Sequence, residues 1–357
     1  MKRVLIIGGG IVGTTIAYEL SQLSQFDITL IEKDAPAQAS TGAALGILMG
    51  IISQKTKGRG WQLRAASMER YPHLLAALAE ETGDHVPHCQ GLIHLCFEGE
   101  AMAKWQELAQ IRHQQGWQLE LWDLQQLQTA CPDLNTRGIV GAVYSPQDLQ
   151  VHPQALTQTL LKAAQQRGVS CHWGIEATGV SVHTPPENGQ SYTVHTNQGD
   201  YETDYLIIAA GLGSLPLTSH LKQPITLRPV LGQGMRVHLP RELTLPTVVT
   251  GDDVHLIPLG NQAYWVGATV EFPDQPVTKP LKTVWEQAVQ FCPALAAGEI
   301  FETWSGERPR PEGQAAPVIQ PLAGYDKVIV ATGHYRNGVL LAPATAEQVK
   351  AMVLKGQ

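Results

Sequence analysis

The chain has 357 residues, 43% of them hydrophobic and 16% charged, with a formal net charge of −7. That length suits two packed units at roughly 150 residues each, and the acidic balance, with no dense Lys/Arg run, argues against a nucleic-acid surface. Five cysteines (Cys89, Cys96, Cys131, Cys171 and Cys292) form no C-x-x-C pair; they read as reduced thiols of a cytoplasmic protein rather than a disulfide frame or zinc site, and no metal is called for.

The first predicted element is an apolar strand, Val4-Leu5-Ile6-Ile7, behind Met1-Lys2-Arg3. Basic residues before an apolar run imitate a secretory signal, but glycines interrupt the run after four residues, too soon for a signal core. Gly8, Gly10 and Gly13 then supply G-x-G-x-x-G spacing ahead of an apolar-periodic helix, and Glu32 ends a second strand, Ile28-Thr29-Leu30-Ile31. The three glycines serve different ends: a tight turn, close approach of backbone to a pyrophosphate, and close helix-on-strand packing. The open helix N-terminus faces the phosphates, and the carboxylate can accept from both ribose hydroxyls. Strand, glycines, helix and acid agree on a dinucleotide site.

The longest apolar tract, Ala43 to Ile52, is well short of the ~20 residues that span a bilayer and is expected in the core. Helices are predicted near 62–83, 101–130 and 154–167, the last led by Val151-His152-Pro153-Gln154. Two further apolar strands end in glycine, Tyr205 to Gly211 and Val328 to Gly333; such runs suit parallel strands buried on both faces. Ligands of these sheets bind beyond the carboxyl ends, so Gly8, Gly211 and Gly333 are expected around one crevice, drawn from the beginning, middle and end of the chain. Between Ile225 and Phe272, β-branched residues alternate with Pro and Gly, as in an antiparallel sheet.

Four later segments, in order, carry a resemblance: Arg228-Pro229-Val230-Leu231-Gly232-Gln233, Val266-Gly267-Ala268-Thr269, Trp304-Ser305-Gly306-Glu307-Arg308-Pro309, and Ala331-Thr332-Gly333-His334-Tyr335-Arg336-Asn337-Gly338-Val339-Leu340-Leu341-Ala342-Pro343. With these the whole chain resembles the D-amino acid oxidase superfamily of FAD-dependent oxidoreductases, and within it the glycine oxidase branch. The resemblance implies an α/β protein: a discontinuous Rossmann-like FAD-binding domain (1–85, 145–215 and 305–357) plus a substrate domain with a mainly antiparallel sheet (86–144 and 216–304). FAD would be non-covalent, because no cysteine follows Cys292. By position, Ile11, Val12, Glu32 and Lys33 would hold the adenosine and pyrophosphate side. Ser40, Thr41, Gly46, Ile47 and Leu48 would pass near the phosphates and the isoalloxazine, and Ala177 would meet the adenine. His334, Tyr335, Arg336, Asn337, Gly338, Val339 and Leu340 would lie beside the flavin, their loop aiming N–H donors at the charge of its reduced form.

An α-amino acid offers its carboxylate as a handle, and a guanidinium binds it through two parallel hydrogen bonds. Arg308, in its Trp-x-Gly-x-Arg-Pro context, is the expected anchor; Arg336 is a second candidate that either touches substrate or satisfies loop carbonyls. The family usually has a tyrosine where this chain has His255, followed by Leu256-Ile257-Pro258-Leu259; an imidazole donates to a carboxylate only in one tautomer or as a cation. Three functions remain open on the residues. The first is oxidation of glycine, sarcosine or a small D-amino acid with O2 as acceptor. The second is a dehydrogenase passing electrons to a quinone or protein, and the third a non-catalytic FAD protein that binds a partner. An oligomer is compatible with all three.

Overall fold

The computed structural model describes residues 1–99, 102–183 and 190–355; the expected domain spans also include residues outside these, as does the start of the helix expected over 101–130. The apolar strands assemble as their composition demands. A six-stranded sheet runs in the order Val318–Pro321, Val328–Thr332, Tyr205–Ile208, Lys2–Ile7, Phe26–Glu32 and Ser170–Trp173. All its pairs are parallel except the one joining Val318–Pro321 to Val328–Thr332.

Successive strand residues point to opposite faces, and both faces of this sheet are covered. Val4, Ile6, Ile28 and Leu30 pack in a core with the helices Ile11–Leu20, Pro153–Gln166 and Gly338–Lys355. Leu5, Ile7 and Ile31 pack on the other side with Tyr192 and Val194 of a small three-stranded antiparallel sheet.

The other large sheet has nine strands. Its path is Glu299–Pro311, Leu227–His238, Ala263–Gly267, Val254–Gly260, Val248–Gly251, His88–Phe97, Ile139–Val151 and Ile47–Leu48, with Glu120–Trp122 beside Ile139–Val151. The only parallel pair among its described ladders joins Val248–Gly251 to His88–Phe97. Two of its strands, Ile139–Val151 and Glu299–Pro311, run unbroken through residues 144–145 and 304–305, where the expected domain spans change.

Period two again decides what faces where. Ile93, Leu95, Val249, Val254 and Leu256 pack under the helices Leu124–Ala130 and Leu281–Phe291. Their neighbours His94, Thr250 and His255 therefore point the other way.

One helical expectation is corrected. Residues 101–130 hold two helices, Met102–Gln114 and Leu124–Ala130, with the strand Glu120–Trp122 between them. Gly116 takes a left-handed φ of 83° that stops the first helix. Asp123 starts the second with a reciprocal cap: its side chain accepts from Gln126 N, and the Gln126 side chain accepts from Asp123 N.

The apolar tract 43–52 enters the core as expected, with Leu48, Ile51 and Ile52 buried. Its backbone is fastened by the buried Asp148, which accepts from the N–H groups of Gly50, Ile51 and Ile52, each at 2.8 Å. Desolvation pushes that carboxyl up to about 6 even so. On the other side the buried Arg112 donates to the carbonyls of Ile51, Ser53 and Lys55 and stacks 3.7 Å over the Trp61 ring. No described helix is long and apolar enough to cross a membrane.

Candidate active site

Beyond the carboxyl ends of the parallel strands lies a cavity of about 1020 Å³. It is bounded on one side by the glycine turns and on the other by the His94, Thr250 and His255 face of the nine-stranded sheet. Pockets of ~300–1,000 Å³ hold drug-sized ligands, so this one has room for a dinucleotide and a small second ligand. Gly8, Gly211 and Gly333 all line it, as the convergence of strand ends predicts.

The glycine cradle is built from backbone. Gly8 has φ 118°, and a Cβ there would come 2.5 Å from the Ala209 carbonyl oxygen; only glycine fits. Gly13 does not line the cavity, and a Cβ on it would lie 2.0 Å from the Gly8 carbonyl oxygen, so its place is the close packing of helix on strand. Gly10 begins the helix Ile11–Leu20 with no side-chain cap. Ile11 N–H donates to Thr41 Oγ1 at 3.1 Å, which holds the next loop against the helix end. Glu32 Oε2 accepts from Gly9 N–H at 2.7 Å, and Ser40 Oγ donates to the Glu307 carbonyl at 2.6 Å. An uncapped helix N-terminus, glycines that let backbone approach closely, and an acid at the end of the second strand fit the pyrophosphate and ribose of FAD.

Of the other residues singled out in the sequence, Gly10, Ile11, Val12, Glu32, Lys33, Ser40, Thr41, Gly46, Ile47 and every residue from Gly333 to Leu340 line the cavity, as do Arg308, His255 and Arg336. Leu48 is fully buried in the core, and Ala177 opens a strand of the three-stranded sheet; neither lines the cavity. His334 is buried with its Nε2 at 2.9 Å from Thr345 Oγ1, and burial lowers its pKa to about 3, so the ring is neutral. His152, before the Pro-led helix, caps it by accepting from Ala155 N–H through Nδ1.

The other end of the cavity is built from side chains. Arg308 sits on the strand Glu299–Pro311, and its two terminal nitrogens donate to the carbonyls of Leu231 and Thr269, both at 3.0 Å. A guanidinium has five N–H donors, so the two carbonyls set its plane and leave donors over. Its partner strand gives way to it: a Cβ at Gly232 would lie 2.1 Å from the Arg308 guanidinium. Burial lowers the Arg308 pKa to about 10, with Arg336 adding to the effect, and the group stays a cation at neutral pH.

His255 Nδ1 lies 2.7 Å from Thr250 Oγ1 across the hairpin. Burial, then the Arg336 charge, drop its pKa to about 3, so the ring is neutral here too. Arg336 donates to Asp253 Oδ1 at 3.2 Å. Burial pushes Asp253 up, but the Arg336 charge and hydrogen bond outweigh it and hold that carboxyl below its ordinary range.

Sequence reasoning missed Thr250, Asp253 and Arg64, which also line the cavity. Asp253 sits in a two-residue turn with Asp252, both at positive φ, which the Gly251-Asp252-Asp253 string signals. Arg64 had a clearer signal. It lies on the helix Arg59–Thr82 in step with the buried Trp61, Met68 and Tyr71 at spacings of three, four and three, a charge on the apolar stripe.

Comparison with known proteins agrees with the site. The family model for FAD dependent oxidoreductases of the DAO type matches residues 3–352. The chain belongs to this family, and FAD is its cofactor. It is 32% identical over 98% of its length to a bifunctional protein ThiO/ThiG of Synechocystis, of which the match covers 51%. The chain thus spans about half the length of such relatives. It is also 27% identical over 98% of its length to a glycine oxidase of Bacillus licheniformis, covering 92% of that protein. In fold it is similar to the crystal structure of glycine oxidase from Geobacillus kaustophilus, with a TM-score of 0.87 at 24% identity, covering 99% of this chain and 95% of that one. It is a glycine oxidase-like FAD-dependent oxidoreductase.

Proposed function

We propose that this chain catalyses oxidative deamination of a small α-amino acid or amine, of the class of glycine, sarcosine or a small D-amino acid, with O2 as the electron acceptor. The observation that carries the reading is Arg308: a buried guanidinium, its plane set by two carbonyls and given space by Gly232, on the wall of the dinucleotide cavity. Bound non-covalently between the glycine turns and the Gly333–Leu340 loop, FAD would supply the two-electron acceptor for hydride from the substrate Cα.

The residues of the chain bind and orient. Arg308 takes the substrate carboxylate through its remaining donors. His255, neutral and hydrogen-bonded to Thr250, offers its other nitrogen to the substrate where the family has a hydroxyl. Asp253 holds Arg336 at the rim. The loop from Gly333 to Leu340 and the helix after it bring backbone dipoles to the isoalloxazine. In this reading the cofactor unit is 1–85, 145–215 and 305–357 and the substrate unit 86–144 and 216–304, joined by the two strands that cross between them.

Anaerobic mixing with a panel of small amines and amino acids tests it. Loss of the oxidised-flavin absorbance with glycine, sarcosine or D-alanine supports the reading, and a flavin that none of the panel reduces overturns it. Peroxide formed on readmitting air supports O2 as acceptor, whereas turnover that needs a quinone or dye overturns that part.

A further inference from the structure

The other described guanidiniums that line the cavity, and Arg112 outside it, have their partners. Arg308 is held by two carbonyls, Arg336 by Asp253, and Arg112 by three carbonyls and the Gln115 side chain. Arg64 differs. Its described hydrogen bond is a local one, from one terminal nitrogen to the carbonyl of Gly60 one helical turn back, at 2.8 Å. Its Nε is buried with no hydrogen-bond partner among the described residues, and no carboxylate pairs with it. Burial alone lowers its pKa, with no opposing contribution from an acid.

An unpaired cation on the apolar stripe of a packed helix is expensive to hold. Surface arginines are free to reach water, but this one shares a cavity wall with Arg308, Arg336, His94 and Ser53. Its helix begins beside the 51–55 segment: Arg64 and the Lys55 stem flank the space over Gly60. That segment is the one Asp148 and Arg112 fasten in place, so Arg64 stands on a rigid mount in the cavity wall.

From this arrangement we infer that Arg64 is a specificity-determining residue that binds a second anionic group on the substrate, so that the preferred substrate is an amino acid carrying a second carboxylate. The inference rests on the amine-oxidising reading and narrows its substrate class. Arg308 takes the carboxylate on the reacting carbon, and the spare donors of Arg64 take the other. A zwitterion with one carboxylate leaves the half-buried Arg64 guanidinium without a carboxylate partner; one with two supplies it. A charge-assisted pair replaces an orphaned cation, which separates the two classes of substrate by much more than one ordinary hydrogen bond.

Steady-state turnover of the FAD-loaded protein is compared for dicarboxylic amino acids (iminodiacetate, D-aspartate, D-glutamate) and for glycine, sarcosine and D-alanine. The best dicarboxylate is expected to exceed the best monocarboxylate in kcat/KM at least tenfold. Arg64→Gln lowers that ratio at least tenfold, and Arg64→Lys restores part of it. Calorimetric titration provides a readout that needs no turnover: the best of malonate, succinate and glutarate binds the FAD-loaded protein at least tenfold more tightly than acetate, and Arg64→Gln removes the advantage. A wild-type ratio at or below one, a ratio unmoved in Arg64→Gln, or equal binding of mono- and dicarboxylates overturns the role of Arg64. If dicarboxylates bind as expected while no amine reduces the flavin, Arg64 stands as an anion site and the oxidase reading falls.

Discussion

The two ends of the cavity are made of different material. At the nucleotide end the working parts are backbone: the turn at Gly8, the uncapped helix after Gly10, and the loop from Gly333. At the other end they are side chains, Arg308, His255 and Arg336 with Asp253, with Arg64 on the same cavity wall, delivered by two strands, a turn, a loop and a helix. A backbone site tolerates almost no added atom but takes nearly any side chain around it. A side-chain site is the reverse, and its chemistry can be changed without touching the fold. One family can therefore keep one cofactor and vary its substrates.

The largest expected effect is at the backbone end. Gly8→Ala forces a side chain into φ 118° and to within 2.5 Å of the Ala209 carbonyl, so the variant should lose both bound flavin and cooperative unfolding. Gly10→Val sharpens the contrast. Its Cβ meets only Thr41 Oγ1, at 3.2 Å, so circular dichroism should stay native while the flavin-to-protein ratio falls towards zero.

Next comes the anchor. Arg308→Ala should keep FAD and lower kcat/KM by roughly a hundredfold, a loss of about 3 kcal/mol, with Arg308→Lys recovering only part. Gly232→Ala should produce much of the same loss without removing the charge, because the new methyl would occupy the place of the guanidinium, 2.1 Å away. Wild-type turnover in either alanine variant breaks the comparison at its centre.

Acid stability tests the buried imidazoles. His255 and His334 have folded-state pKa values of about 3, against 6.5 for an ordinary histidine. Above pH 6.5 both states are neutral and nothing is lost. As pH falls below 6.5 the unfolded chain takes protons that the folded one refuses, so stability drops until about pH 3. Between pH 7 and 4.5 the two rings together should cost on the order of 5 kcal/mol, visible as a falling Tm that His334→Gln flattens. The smallest effect is expected of His255→Tyr. If the imidazole stands in for the family's hydroxyl, glycine turnover changes by only a few fold, upward, and a collapse of turnover assigns the ring a larger part in the chemistry.

This division also explains what could be read from the chain alone. Glycine spacing and apolar strand runs are local patterns with few interpretations, so the parallel sheet, the crescent of Gly8, Gly211 and Gly333, and the antiparallel stretch 225–272 were legible. The break at Gly116 was not, because a Gln- and Leu-rich stretch carries helical periodicity through a residue whose φ only the fold decides. At the sheet end Arg308 was legible through its flanking residues. Arg64 was legible only through the phase of the helix it stands on, in step with Trp61 and Met68, because nothing else local distinguishes an arginine facing a cavity from one facing water. Asp253 was hidden for a similar reason: its partner Arg336 is 83 positions away.

The six-stranded sheet sets a schedule as well as a shape. Its strands come from residues 2–32, 170–173, 205–208 and 318–332, and the last wall of the cradle, Gly333 to Leu340, is translated after all of them. Pairings between such distant segments form late, after a large loss of chain entropy. On the ribosome, then, the Gly8 turn has no neighbour at Ala209 and no floor at Gly333 until those residues emerge, and it cannot retain a dinucleotide before then. FAD capture waits for strands and loops from Gly8 to Gly333 to meet, and cellular FAD supply should bear on the yield of folded protein more than on the rate at which chains are made.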